Sequence, residues 1–555
     1  MRNELLRRTL RFFQWVSLTF ILVLGGIMAH DALRREQTLE TAQQKLEILK
    51  AGNLDDPALV RTVRELDYLY RSVYFQTQDR QAYGFLLLGI AFLVLCLLII
   101  FDRWRFVPEL QVPSASKTSR EKERRELLIF TICGIGILCV ILAAMHLTLP
   151  SGSASKKINQ NIVGKVKSST EKIVLAQALE EASRQWPQFR GSLLPNRNQL
   201  PENWNFTEKW KVKIPLPGFN SPVIWDDKVF VAGGNKKERA VYCYDVNNGN
   251  MRWKTACTNA PKYPELTEDT GASAPTLCVD KSRVYAIFAT GEMLCCTHDG
   301  NVVWRRQLPT PDIMYGYASS PLLLGDKLIV QYDMEEKQTL YAIDVRTGED
   351  VWSTVRQTSS SWSSPTALVK DGNIIIFTAG NLAAEGIDGN NGHVLWKNES
   401  LGGEVATGGL PHNNAFYFSN TGAFTGAFRA NDGKVLFKND NVPAPDVASP
   451  IFAANTFILF SSGGSVIGID AENGKELYEK SFDNGFYASP VIFGDKIVAV
   501  NLDGDLFLLE PSSKDLLIKG KFSLGKKIVA IPAFSRGNII IRNSDDELLC
   551  LESKP

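Results

Sequence analysis

Cysteine and histidine are the side chains most able to hold a metal or carry redox chemistry, and this 555-residue chain has nine of the first and five of the second. Cys96, Cys133 and Cys139 lie in strongly apolar stretches. The other six have no second pair or neighbouring histidine to complete a tetrahedral zinc or iron–sulfur set. Cys295 and Cys296 are adjacent, but "EMLCCTHDGNVVW" reads as a strand running into a turn, where a bridge between neighbours would strain an extended backbone. A disulfide involving one of Cys243, Cys257, Cys278, Cys295 or Cys296 stays open beside ordinary thiols. His298, His393 and His412 occur singly, the first two near turns, which fits exposed turn residues better than ligands or acid–base groups. No Ser-His-Asp arrangement and no Walker-type loop appears. Neither a catalytic residue nor a metal ligand is assigned.

Recognition chemistry has better candidates. Phe219, Asn220, Asp269, Tyr315, Tyr317, Trp362, Glu404, Asp446, Phe486, Tyr487 and Lys527 each stand a few residues ahead of a Pro that opens a hydrophobic run. Aromatic anchors beside isolated charges make a protein- or peptide-binding rim, provided that the fold gathers them.

A repeat supplies that gathering. The phrase "YGYASSPLLLGDKLIV" returns as "GFYASPVIFGDKIVAV", and Pro222, Pro275, Pro321, Pro365, Pro411, Pro450, Pro490 and Pro532 recur at intervals of 39 to 53 residues. A second landmark places Asp, Gly and Trp four residues apart, at Asp245/Gly249/Trp253, Asp344/Gly348/Trp352 and Asp388/Gly392/Trp396, with weaker copies at Gly300/Trp304, Gly433/Phe437 and Gly474/Tyr478. Gly supplies the positive φ of a tight hairpin turn, and the aromatic is then free to pack between sheets. Between the landmarks run alternating segments such as "DKLIVQY" and "TLYAIDV", which are strands by pattern. Four short strands per unit make a propeller blade, whose sheet cannot bury both faces alone. The last unit lacks an outer strand, and "EKWKVKI", with Trp210 at the aromatic position, is available to supply it. The expected fold is all-β, an eight-bladed β-propeller closed by its own first strand. A Pro at the head of each innermost strand removes no ladder bond from the middle of a sheet.

The "YAIDVRTGEDVW" unit with the "SSP" and "GDKLIV" strand resembles the PQQ-like β-propeller repeat family, over roughly residues 205–555. That family includes quinoprotein dehydrogenases and a non-enzymatic outer-membrane-protein assembly lipoprotein. The segment "WPQFRG" at 186–191 is similar to the start of exported planctomycete-type members. The resemblance implies either a scaffold or an enzyme that sandwiches PQQ in its channel with a divalent cation and, usually, a vicinal disulfide stacked on the cofactor. Cys295-Cys296 falls at a strand end and turn rather than at such a position. Most blades are too short to wall a quinone, and only 256–273 gives a sizeable extra loop. No cofactor is expected for the scaffold; PQQ with a divalent cation belongs to the alternative.

Ahead of the repeat the chain changes character. Residues 12–29, 83–101 and 127–149 are apolar runs long enough for three transmembrane helices. Lys and Arg collect before the first and between the second and third, which sets those segments in the cytoplasm and the helical loop 30–82 outside it. The layout expected is a membrane region over 1–150, a helical linker over 151–185 and the propeller over 186–555, in a bacterial inner (cytoplasmic) membrane with the N-terminus cytoplasmic and the propeller periplasmic. The formal net charge of +1 gives no reason to expect a nucleic-acid partner. The reading that results is a membrane-anchored, non-catalytic propeller that binds a protein or polymer at its rim or at a blade edge, with a PQQ-dependent membrane dehydrogenase as the alternative.

Overall fold

The computed structural model describes residues 9–24, 26, 87–99, 172, 174–201, 203–257, 263–370 and 372–554. The chain divides into two compact units, Met1–Glu171 and Lys172–Pro555.

In the first unit, helices run over 9–24 and 87–99, and Gln14 Nε2 donates to Leu98 O at 3.4 Å. Their aromatic and aliphatic side chains stand exposed, among them Phe12, Trp15, Leu22, Phe92 and Leu93. At 1.5 Å per residue these helices reach only about 24 and 20 Å, against a hydrocarbon core of about 30 Å. Among the described residues no helix is long and apolar enough to cross a membrane. The three transmembrane helices expected from the sequence therefore lack structural support: the first two are represented by these shorter helices, and 127–149 lies outside the described residues, as does the loop 30–82.

The second unit is a ring of eight four-stranded antiparallel sheets. Blades 1 to 7 each use four consecutive strands, over residues 223–257, 278–307, 322–355, 366–398, 410–438, 451–481 and 491–523. Blade 8 takes Ala533–Ser535, Asn538–Arg542 and Glu547–Ser553 from the end of the chain and Phe206–Lys213 from its beginning. In that closing pair Phe206 lies opposite Ser553 and Trp210 opposite Cys550, as the sequence led us to expect. The seam thus carries a full strand ladder, and no edge is left open there.

The recurring aromatic ties each outer strand to the next blade. Trp210 Nε1 donates to Val246 O at 2.9 Å, Trp253 to His298 O at 2.8 Å, Trp304 to Val345 O at 3.0 Å and Trp396 to Ala430 O at 2.6 Å. Each indole lies on the turn glycine beneath it. Gly348 has φ +77°, and a Cβ there would sit 2.7 Å from the Trp304 ring. Phe437 covers Gly474 in the same way. A bulge aims the aromatic: the register slips beside it in the seven blades that carry one, so that Lys209, Arg252, Val303, Val351, Leu395, Leu436 and Leu477 are left without a cross-strand partner. Blade 7 has no aromatic there: its slip sets Gly520 opposite Leu508 at that place, with the Trp204 ring lying on it, and the expected Ile518 falls beyond the slip.

The same geometry accounts for three cysteines. The residue opposite each aromatic on the third strand is small: Ala342, Gly386, Ala427 and Gly468 in four blades, and Cys243, Cys295 and Cys550 in three others. These three, with Cys257, Cys278 and Cys296, are buried free thiols, so the disulfide left open by the sequence does not form. Burial pushes Cys243, Cys257, Cys296 and Cys550 up to about 12, which makes them unreactive packing residues.

The serines before the prolines do more than fit a narrow space. Ser221 Oγ accepts the Ile531 N–H (2.9 Å), Thr276 Oγ1 that of Ser221 (3.0 Å), Ser320 that of Thr276 (3.0 Å) and Ser364 that of Ser320 (2.9 Å). Ser449 accepts from Gly408 and Ser489 from Ser449, both at 2.9 Å. Innermost strands too far apart to pair as a sheet are joined through hydroxyls, and each bond satisfies a buried backbone N–H.

Two histidines differ from their sequence reading: His412 lies half-buried on the first strand of blade 5, stacked on Phe452. His298 is half-buried, with its ring 5.4 Å from Phe230 and Nε2 donating to Asp280 O at 2.8 Å, rather than exposed. The turn carrying it is the one covered by Trp253.

Two outcomes test this account. Trp210→Ala, which unseats the closing strand, costs about 3–5 kcal/mol in urea unfolding, whereas Ile518→Ala on the exposed outer strand of blade 7 costs under about 1 kcal/mol. Burial lowers the His298 pKa in the folded state, so unfolding takes up a proton and stability is lost as pH falls below about 6.5. His298→Phe therefore loses less stability than the parent between about pH 7.5 and pH 5, read from unfolding midpoints.

Candidate binding face and plugged channel

The two faces of the ring are unequal. A helix over 174–182 lies on one of them, against turns joining the first and second strands. Leu175 packs on the cluster of Leu322 and Leu324, and Gln185 exchanges hydrogen bonds with Asp226 at 2.9 and 3.2 Å. This end of the expected linker is therefore part of the propeller.

The chain then enters the channel. Trp186 pairs with Ile224 through both backbone bonds, at 3.1 and 2.7 Å, and its fully buried indole stacks on Phe493 and leans on Phe534. Pro187 O accepts from Val279 N at 2.8 Å, and Gln188 Oε1 from Leu323 N at 2.8 Å. Arg190 reaches Pro450 O at 2.6 Å. Residues 186–190 thus touch the inner strands of blades 1, 2, 3, 6, 7 and 8, and plug one end of the channel. The plug was not foreseen from the sequence, because nothing local in "WPQFRG" specifies partners as far along the chain as Phe534.

The opposite face carries the loops leading into the innermost strands and the turns between second and third strands. Of the expected rim residues, Tyr315 is 45 % exposed and Tyr487 38 %. Asp269, Glu404 and Lys527 are exposed, and Phe219, Trp362 and Asp446 are partly so. Asn220, Tyr317 and Phe486 are buried and offer a partner no surface. Asn220 braces the backbone, donating to Ala232 O and Ser273 O, both at 2.8 Å. Tyr317 donates to Gln331 O at 3.1 Å, and Phe486 meets Phe460 edge-on at 5.1 Å.

The exposed aromatics converge between blades 2 and 4. The Tyr315 and Trp362 rings are 5.4 Å apart, and Trp362 Nε1 donates to Met314 O at 2.9 Å. Met314 and Leu382, both exposed, extend the patch. Tyr315 has φ +67°, a left-handed conformation that is unusual for a bulky residue. Trp362 is held by Val405 O, to which its N–H donates at 2.9 Å. Next to it Ser361 donates to Asp333 at 2.8 Å within a fully buried cluster of Asp333, Arg356 and Glu385. Burial pushes the Asp333 carboxyl above the usual range, and the Arg356 charge opposes that shift.

A groove between blades 5 and 6 opens on the same face, with a volume of about 760 Å³. Thr421, Phe424, Lys438, Asp440, Asp446 and Ser462 line it. Lys438 pairs with Asp440 at 2.9 Å and lies over Phe424; Ser462 Oγ donates to Asp446. Only Asp446 was singled out from the sequence, although "SSGGS" and the connection 439–447 mark the spot.

Cys295 and Cys296 point to opposite faces of their sheet, the first into the core shared with blade 3 and the second into that shared with blade 1, so the pair cannot roof a planar cofactor. Among the described residues no group of three or more His, Cys, Asp or Glu is placed to hold a metal ion.

This geometry agrees with the sequence comparisons. The family described as "Outer membrane protein assembly factor BamB" matches residues 237–409 and 423–517. The chain carries PQQ-like β-propeller repeats. Among solved structures it is similar to a europium-containing methanol dehydrogenase (11% identity, covering 68% of this chain and 100% of that one, TM-score 0.52). It is also similar to quinohemoprotein alcohol dehydrogenase from Comamonas testosteroni (12%, 69% and 85%, TM-score 0.51) and to BamB from Moraxella catarrhalis (15%, 63% and 98%, TM-score 0.45). At these identities the likeness to the dehydrogenases is one of fold. No curated protein matches the chain in sequence.

The exposure difference along one loop is directly measurable. Tyr315→Ala changes the unfolding free energy by less than about 1 kcal/mol, whereas Tyr317→Ala two residues on costs about 3–5 kcal/mol.

Proposed function

We propose that this chain is a non-catalytic, membrane-anchored propeller that binds a protein or peptide partner on its unplugged face. The observation that carries the reading is the Tyr315–Trp362 patch: an exposed aromatic held at a left-handed φ and packed at a tilt against a second aromatic, both on loops fixed by the ring. Strain of this kind persists where the surroundings impose it, and it gathers at ligand-binding positions. Aromatic anchors with Met314 and Leu382 around them and Asp269, Glu404 and Lys527 farther out fit the pattern of an apolar centre with a charged rim. Exposed outer-strand edges add a second mode, in which an extended segment pairs with a blade. The matched family's description, an assembly factor, is consistent with a scaffold.

Anchoring in a bacterial inner membrane, with the propeller on the periplasmic side, belongs to the same proposal. It rests on the three apolar stretches, on the Lys and Arg between them, and on the exposed Phe12, Trp15, Leu22, Phe92 and Leu93, which suit a lipid environment better than water. The alternative, a PQQ-dependent dehydrogenase, is disfavoured by the divided cysteine pair.

A photo-crosslinking residue at position 315 or 487 in cells captures one discrete partner, and the same residue at 346, in a turn on the plugged face, does not. Equal capture from all three positions, or a visible absorbance change on adding PQQ and calcium to the purified protein, overturns the proposal.

A further inference from the structure

Four arginines reach in among the inner strands of the ring: Arg239, Arg356 and Arg542 are buried, and Arg190 is part-buried. Three of them meet a carboxylate: Arg239 with Glu292 at 2.5 Å, Arg356 with Asp333 and with Glu385 at 2.8 Å, and Arg542 with Asp546 at 3.2 Å. Arg190 does not. Its Nη2 donates to Pro450 O at 2.6 Å and its Nη1 to Gly409 O at 3.5 Å, both neutral backbone groups, and among the described residues no acidic side chain pairs with it. Burial lowers its pKa to about 10, so it remains cationic at neutral pH. A guanidinium has further N–H donors beyond the two used here, and they face no acceptor among the described residues. Arg190 is part-buried, so these donors stay open to an anion that can form charge-assisted bonds with them.

The surroundings of Arg190 are rich in donors. The Ser449 hydroxyl is one residue from the carbonyl that holds the guanidinium. It belongs to the set of Ser221, Thr276, Ser320, Ser364, Ser449 and Ser489, each of which accepts a backbone N–H from the preceding blade. None of these hydroxyls donates its own proton to a described protein group. Inner strands of several blades thus bring O–H donors around the channel, and the plug carries the cation up to their level. Arg190 holds this place at φ +66°, with Gly191 closed over the Trp186 ring. Trp186 and Pro187 fill the other end, which leaves the face of Tyr315 as the way in.

We infer that the blind channel is an oxyanion site, in which Arg190 and the neighbouring hydroxyls hold a carboxylate or phosphate group that enters from the open face. The site is independent of the partner-binding patch: it needs only the channel and the plug. Two sources share the required chemistry, a free small anion and the carboxylate end of a peptide.

The full-length protein in detergent, titrated with sodium phosphate or sodium acetate at constant ionic strength, shows a saturable rise in melting temperature and a change in tryptophan fluorescence. Sodium chloride at matched ionic strength shows neither. Arg190→Gln weakens the apparent affinity roughly tenfold or more, and Arg239→Gln leaves it unchanged. If Arg190→Gln does not fold, Arg190→Lys is read instead: it keeps the charge but loses the fork, and an affinity equal to that of the parent overturns the inference. A short peptide with a free C-terminal carboxylate that competes with phosphate, where its C-terminal amide does not, assigns the site to a chain end; failure of both assigns it to a free anion. Absence of a saturable response to either salt, or a response that survives Arg190→Gln, overturns it.

Discussion

Everything in this propeller depends on the docking of one aromatic side chain onto the turn of the neighbouring blade. A four-stranded sheet has two apolar faces and cannot stand alone in water. Stacking blades radially covers both faces, but sheets that fan out from an axis splay at their outer edges, where contact would be lost. Trp210, Trp253, Trp304, Trp352, Trp396, Phe437 and Tyr478 fill that widening gap, and the bulge beside most of them turns the ring toward the next turn. The small residue opposite, Ala, Gly or Cys, gives the ring room. At the axis the inner strands of neighbouring blades face each other without pairing, and the hydroxyl bonds of the pre-proline serines bridge the gap.

The sequence displayed the outer half of this arrangement plainly. Asp, Gly and Trp at fixed spacing are local features, and a tight turn with an aromatic behind it has few other meanings. The inner half was legible only as position. A Ser-Pro dipeptide marks where the strand begins, but that its hydroxyl accepts an amide from the blade before is a relation between residues about forty apart. The closing strand could be inferred because one landmark was missing at the end and an unused one stood at the start. The plug could not, since "WPQFRG" has no internal copy to compare with and its partners are scattered over six inner strands.

The binding face shows a different limit. Candidate residues ahead of each inner strand share a loop position, yet alternate residues along those loops face opposite ways. Tyr315 emerges and Tyr317 turns under; Tyr487 emerges and Phe486 goes into the core between blades. Charges followed the same rule. Asp333, Arg356 and Glu385 lie far apart along the chain and meet only when blades 3 and 4 come together, where they fix the backbone that presents Trp362. His298 looked like a solvent residue because its turn was visible and the aromatic rings beside it were not.

The closing ladder has a consequence in time as well as in space. Phe206–Lys213 is made before any blade, and its partner Glu547–Ser553 only after the other seven blades, so the wheel stays open while those seven are synthesised. A ribosome that stalls inside blade 8 releases a molecule with an unprotected β-edge at each end, the kind of surface that recruits quality-control proteases or a second copy of itself. Closure of the ring thereby waits on the synthesis of blade 8.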